Sequence, residues 1–233
     1  MQRRDFIGMC AAGAALSLNP ALAANLKPRF YARVQLTDEL RQPLRAAQLT
    51  ANRNYIFHYP YAATPCFLLN LDRPAMQPVV LATEQGGQYE WPGGVGPHHS
   101  IVGYSAICAH RLSYPTRQIS FIAYRDQAGP TRLARGHVIH CCSEHSEYDP
   151  ATGARVVGGP APQPLASIVL EYDAASDALY AVGTLGGEMH DQFFAKYGFK
   201  LALEYGEKRA QQPVTGTVVV SELASYCKQQ VRC

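Results

Sequence analysis

The sequence predicts an all-β protein of antiparallel strands, and two observations carry that expectation. The apolar residues fall in short, mostly alternating runs rich in Val, Ile, Tyr and Phe. Sixteen prolines and 19 glycines punctuate those runs, as turns between strands require. After residue 25 no apolar span reaches the 20 residues that a membrane helix needs, so the body reads as soluble. With 233 residues, 47% hydrophobic and 17% charged, the chain can bury a core of one or at most two domains. The formal charge of +3 falls to about +2 once Arg3, Arg4 and Asp5 are set aside, and nothing in it calls for nucleic acid.

The first element, residues 1–24, reads as an export label. Arg3-Arg4-Asp5-Phe6-Ile7 precedes a weakly hydrophobic run that ends in Ala21-Leu22-Ala23, a small-residue cleavage pattern. This resembles a twin-arginine signal, whose pathway carries proteins already folded, and it implies a periplasmic location. An ordinary secretory signal with a chance arginine pair is the alternative. Retention as an anchor is disfavoured by the short run, by Pro20 and by the cleavage pattern. Cys10 leaves with the signal. In an oxidising compartment unligated cysteines tend to pair, so a metal held by thiolates has to be loaded before export.

Strand-like runs follow in "YPYAATPCFLLNL" (59–71) and Ile101–Ile107, and the second ends on Cys108-Ala109-His110. A further cluster, "HCCSEHSEYDP" (140–150), contains Cys142-Ser143-Glu144-His145. Two halves result, Cys-x-His and Cys-x-x-His, separated by 31 residues (111–141). Two thiolates and two imidazoles suit a closed zinc site, although zinc sites more often use Cys-x-x-Cys in one half. They also suit a [2Fe–2S] cluster in which two cysteines hold one iron and two histidines the other. Each short loop then supplies one ligand to each iron, and two facing loops clamp the cluster. Cys141 with His145 reads Cys-x-x-x-His and is the alternative register.

Beyond the second half come a turn, a short strand, the loop Gly158-Gly159-Pro160-Ala161-Pro162, and two strands around Ala174-Ala175-Ser176-Asp177. This order resembles the Rieske domain, in which a proline-rich loop covers the third side of the cluster. "GGVGPHHSIVGYSAICAH" (93–110) and "SIVLEYDAASDALYAVG" (167–183) are similar to the small Rieske subunit of arsenite oxidase. The likeness covers roughly residues 30–185. It implies a Rieske-type antiparallel β-sandwich base with a small cluster-binding lobe, and one [2Fe–2S] cluster per chain on Cys108, His110, Cys142 and His145. In that reading residues 25–185 form the Rieske domain, with ligand loops 106–115 and 140–150 and proline loop 158–164; residues 186–233 are a C-terminal extension. Cys142 is preferred to Cys141 because its register matches the family's second loop.

Departures from the family pattern are specific. Many Rieske proteins brace the two ligand loops with a disulfide; the corresponding positions here are Ser113 and Glu144, so that brace is missing and thiol reductants are expected to leave the cluster intact. Residues 117–138 read as an enlarged hairpin between the loops. Ser146 and Tyr148 stand where a serine and tyrosine hydrogen-bond cluster sulfurs in high-potential members, but the loop is one residue shorter.

The remaining cysteines, Cys66, Cys141, Cys227 and Cys233, allow three pairings. A local Cys227–Cys233 disulfide is the simplest; Cys66 with Cys141 is then open, and so is a free Cys141. His58, His98, His99, His137 and His190 lack a partner at ligand spacing and read as packing or surface residues. In the extension, "EMHDQFFAKYGF" predicts a short helix and "GTVVVSELASYCKQ" a strand running into another. Phe193, Phe194, Tyr197 and Phe199 read as packing.

Function follows from the resemblance: a periplasmic one-electron carrier, the small subunit of an arsenite-oxidase-like oxidoreductase, not catalytic alone. Its partners would be a larger catalytic subunit and a cytochrome-type acceptor. The alternatives are a quinol-oxidising Rieske subunit of a cytochrome bc-type complex and a secreted zinc-binding module.

Overall fold

The computed structural model describes residues 25–75, 78–127 and 135–233. The expected export signal, 1–24, lies outside the described residues. Strands dominate, and the main sheet has eight in the order Gly216–Val219, Arg29–Thr37, Ala178–Leu185, Ser167–Asp173, Ile101–Ser105, Pro65–Asn70, Tyr55–His58 and Ser221–Glu222. Every neighbouring pair for which a direction is set is antiparallel except Arg29–Thr37 with Gly216–Val219, which run parallel. Among the described residues no helix is long and apolar enough to cross a membrane.

Alternation along each strand divides the core into two. In Pro65–Asn70, Phe67 and Leu69 face one apolar cluster while Cys66 and Leu68 face another. The neighbouring strand repeats the division, Ile56 to the first side, Tyr55 and Phe57 to the second. Successive strand residues point to opposite faces, so a sheet covered on both sides reads as a near-continuous apolar run, as "CFLLNL" does.

A second, four-stranded sheet packs over the first cluster. Its order is Arg155–Gly158, Ser146–Asp149, Val138–Cys141 and Ile122–Arg125, all antiparallel. Ile122, Tyr124, Ile139, Cys141 and Tyr148 turn inward to join Phe67, Leu69, Val102 and Tyr104. The segment read as an enlarged hairpin supplies the strand Ile122–Arg125 of this lobe and leads into Val138–Cys141, with Ile122 opposite Cys141 and Arg125 opposite Val138.

The C-terminal extension is more structured than the sequence suggests. A 16-residue helix, His190–Tyr205, ends at Gly206, whose φ of 90° needs a residue without Cβ strain. Phe193, Tyr197 and Leu201, four residues apart, share its inner face and pack with Ile107, Leu112 and Tyr114. Phe199 departs from the expected packing group: it lies on the opposite face and is 82% exposed, near exposed Leu203. The expected strand pair becomes Gly216–Val219 and Ser221–Glu222, then the single helical turn Leu223–Tyr226.

Candidate metal centre

The first ligand loop leaves the main sheet after Ile101–Ser105 and closes on itself. The Cys108 N–H donates to the Ser113 carbonyl (2.8 Å) and the Leu112 N–H to the Cys108 carbonyl (3.0 Å). Ser113 thus holds the loop through its backbone. Cys108 is fully buried, and His110 is half-buried at the loop's edge. His110 Nδ1 is buried and without a hydrogen-bond partner among the described residues. A buried polar atom left unpaired costs about 1–3 kcal/mol, so such an atom calls for a ligand.

The second loop, 142–145, is the tip of a hairpin whose flanking residues Cys141 and Ser146 are directly opposite. Strand alternation then decides which cysteine faces inward. Ile139 and Cys141 share the buried inner face; His140 and Cys142 share the outer one. A shift of one residue exchanges the faces, so the structure turns Cys141 toward Cys108, where the expected ligand set has Cys142. Cys142 is bonded to Cys233 in a disulfide with Cα atoms 5.7 Å apart, so it has no thiolate to offer. Cys141, a free and fully buried cysteine, hydrogen-bonds Cys108 instead.

Cys141 is the donor in the hydrogen bond between the two sulfurs. The hydrogen bond from Cys141 pulls Cys108 down to about 5, aided by Tyr148 and the backbone N–H groups of His110 and Arg111, against the cost of burial. The same hydrogen bond and burial push Cys141 up. The Tyr148 hydroxyl lies 3.3 Å from Cys108 Sγ and accepts from the Ala109 N–H (3.2 Å). The role expected for Tyr148 has its geometry; Ser146 Oγ is buried beside the site without a partner.

His145 is exposed at the loop tip, with a positive φ of 58°. Its ring stands 5.8 Å from that of His140, centroid to centroid. His140, His145 and Cys233 hold their donor atoms within 4.8 Å of one another, but Cys233 is already committed to the disulfide. Burial, then Arg125 and His145, lower His140 to about 4, so it is neutral at pH 7. Across the two loops the Arg111 guanidinium lies 3.7 Å from the Glu144 carboxylate.

The proline loop lies against the second ligand loop. Gly159 has φ 76°, and a Cβ there would collide with the His145 carbonyl and the Ser146 Cα. The residue between the lobe strand and Pro160 must therefore be glycine for the loop to lie against the second ligand loop.

The other cysteines depart from the expected pairings for reasons of topology. Cys66 and Cys141 belong to opposite faces of the main sheet. Cys66 is free, and its thiol donates to the Tyr59 carbonyl (3.0 Å). Cys227 is also free; the chain beyond it runs extended, Gln229–Gln230 pairing in parallel with Ile119–Ser120, and carries Cys233 away to Cys142. His58 and His190 are packing residues. His58 Nε2 is 3.2 Å from the Tyr205 hydroxyl and 3.4 Å from that of Tyr226.

Arg125 was not singled out by sequence motif; Cys141 entered only as the alternative register, Gly159 as part of the proline loop and Cys233 as a partner for Cys227. For Cys141 the signal was present: two residues after core-facing Ile139, it shares that residue's face. The contacts of Cys233 and Arg125 span 91 and up to 108 residues of sequence, and no local pattern encodes them.

The donor set fits a two-iron cluster with one replacement. Two adjoining buried thiols lie together with a hydroxyl aimed at one of them; His110, with its unpartnered buried imidazole nitrogen, follows two residues after Cys108, and the second loop carries a further imidazole. No family model matches the chain. Among solved structures it is similar to the soluble domain of Rieske protein II (soxF) from Sulfolobus acidocaldarius, with 26% identity and a TM-score of 0.45 over 68% of this chain and 82% of that one.

Proposed function

We propose that this chain is an electron-transfer protein holding one Rieske-type [2Fe–2S] cluster, with Cys108 and Cys141 on one iron and His110 and His145 on the other. The observation that carries the proposal is the buried Cys108–Cys141 pair with Tyr148 on Cys108 and the unpartnered Nδ1 of His110 beside it. Bound there, such a cluster takes up and gives back one electron, at roughly −150 to +300 mV against about −400 mV for plant-type all-cysteine clusters.

The residues of the chain set the conditions for that transfer. Tyr148 donates to Cys108 Sγ and stabilises added negative charge on the sulfur. The N–H groups of His110 and Arg111 act in the same sense. The apolar wall of Ile122, Ile139 and Leu165 excludes water from the thiol side. Half-buried His110 and exposed His145 face outward, and a redox partner approaches from their side.

We further read the protein as periplasmic, exported by the twin-arginine route, and as the small subunit of an arsenite-oxidase-like oxidoreductase. Arg3-Arg4 and the segments 93–110 and 167–183 support that finer reading. Its partners are then a larger catalytic subunit and a cytochrome-type acceptor. The chain is purified, its iron and acid-labile sulfide are counted, and its EPR spectrum is recorded after mild reduction. Two irons per chain with a Rieske-type signal are expected; zinc, or no metal after loading, overturns the proposal.

A further inference from the structure

We propose that the C-terminal segment 227–233 is a covalent clamp on the second ligand loop, with Cys233 and Arg125 as positioning residues for His145. The clamp opens when the Cys142–Cys233 disulfide is reduced.

The segment is laid along the outer face of the lobe. The Lys228, Gln229 and Val231 N–H groups donate to the carbonyls of Arg117, Gln118 and Ser120 (3.1, 3.1 and 2.9 Å), tying the tail to the edge of the hairpin. Arg125, on that outer face, donates through Nη1 to the Cys233 carbonyl (2.7 Å) and through Nη2 to Cys142 Sγ (2.8 Å). The disulfide then fixes the first residue of the loop, and Cys142 N–H donates to the Phe121 carbonyl (2.6 Å). Cys233 Sγ lies 3.7 Å from His140 Nε2, and His140 carries the ring of His145.

Ser143, Glu144 and His145 are all exposed; the Arg111–Glu144 pair, the backbone of Ser143 and Glu144 on the Cys141 sulfur, Gly159 behind and the tail at one end hold the loop in place. The first ligand loop is held otherwise, by the packing of Ile107, Leu112 and Tyr114 against the helix 190–205 and by the Lys196 ammonium on the Arg111 carbonyl (2.6 Å). The extension therefore supports both loops, one by apolar packing and one by a covalent bond. Only the second support is sensitive to redox conditions. A dithiol opens it by two-electron exchange: the Cys142–Cys233 S–S bond breaks, both sulfurs end as thiols, and the dithiol closes to its own disulfide.

The clamp predicts, against the expectation from the missing brace, that thiol reductants loosen the second ligand loop. The inference concerns the loop itself and rests on the cluster reading only for its second readout. Amide exchange is followed by mass spectrometry on the metal-free full chain, with and without dithiothreitol, and on the Cys233→Ser variant. Peptides covering 142–146 and 227–233 are expected to exchange about tenfold faster or more after reduction and in the variant, while 106–115 and 190–205 keep their protection. Arg125→Gln, which retains the disulfide, gives an intermediate increase in the same two peptides. Unchanged exchange at 142–146 on reduction overturns the clamp, whatever the metal content. In the loaded protein, reductant is expected to speed cluster bleaching in the wild type and to leave the rate in Cys233→Ser unchanged; equal sensitivity of both proteins overturns the link from clamp to His145.

Discussion

At the scale of single residues, Cys141 and Cys142 show how one position of register decides chemistry. They are adjacent and identical, yet one is buried against Cys108 and the other bonded to the tail. The family-like spacing Cys-x-x-His selects Cys142; strand alternation from Ile139 selects Cys141. Alternation prevails because the lobe's hairpin is paired on both sides of the loop, which fixes the faces before the loop is drawn. Tyr148 was legible in the sequence. Its hydroxyl on Cys108 leads to a quantitative prediction: Tyr148→Phe removes one hydrogen bond to a ligand sulfur, worth about 0.5–1.5 kcal/mol, and should lower the reduction potential by about 20–65 mV. Protein-film voltammetry checks this, and a potential that stays or rises contradicts the role. Gly159→Ala should fail for steric reasons, since its positive φ and the His145 carbonyl leave no room for a methyl group. Cluster loading of that variant is expected to fall severalfold while the far-UV spectrum is kept.

At the scale of elements, the strands and the loops that carry the site were legible because their signals are local: alternation, prolines, glycines and short Cys/His spacings. The extension was not. Its helix runs to Tyr205 rather than stopping near Phe199, because Phe193, Tyr197 and Leu201 continue one apolar stripe that Ile107, Leu112 and Tyr114 of the first ligand loop help to cover. The disulfide was hidden for the opposite reason. A chain with four cysteines to pair favours the nearest two, but Gln229–Gln230 is drawn into a strand pairing that points Cys233 toward the lobe. Opening a disulfide that spans 91 residues of sequence removes a long cross-link from the unfolded chain. Cys233→Ser should therefore destabilise the oxidised chain by about 2–4 kcal/mol, measured by urea unfolding. The same variant should match the wild type once both are reduced.

At the scale of the whole molecule, a sheet covered on both faces carries the first ligand loop at the end of one strand and supports the lobe that supplies the second. Acid stability reports on this core through His58. Burial first, and then Arg117, lower His58 to about 4 from its ordinary value of 6.5, so the folded state takes up a proton less readily than the unfolded one. Its contribution is full above about pH 6.5 and is lost as pH falls from there toward 4, by up to about 3 kcal/mol. Chemical denaturation between pH 7 and 4 measures this; His58→Phe should flatten that limb, and an unchanged slope would show that other groups set it. Export belongs to the same scale. Replacing Arg3 and Arg4 by Lys should trap the precursor in the cytoplasm, and an unchanged periplasmic yield would assign the general secretory route.

The proposed cluster is held by Cys108, His110, Cys141 and His145, with Cys142 serving the clamp. Iron, sulfide and EPR measured side by side on Cys141→Ser and Cys142→Ser test it most directly. Loss of the cluster in Cys141→Ser, with two irons and a Rieske-type signal kept in Cys142→Ser, is the predicted result. A cluster that survives in Cys141→Ser and vanishes in Cys142→Ser would contradict it.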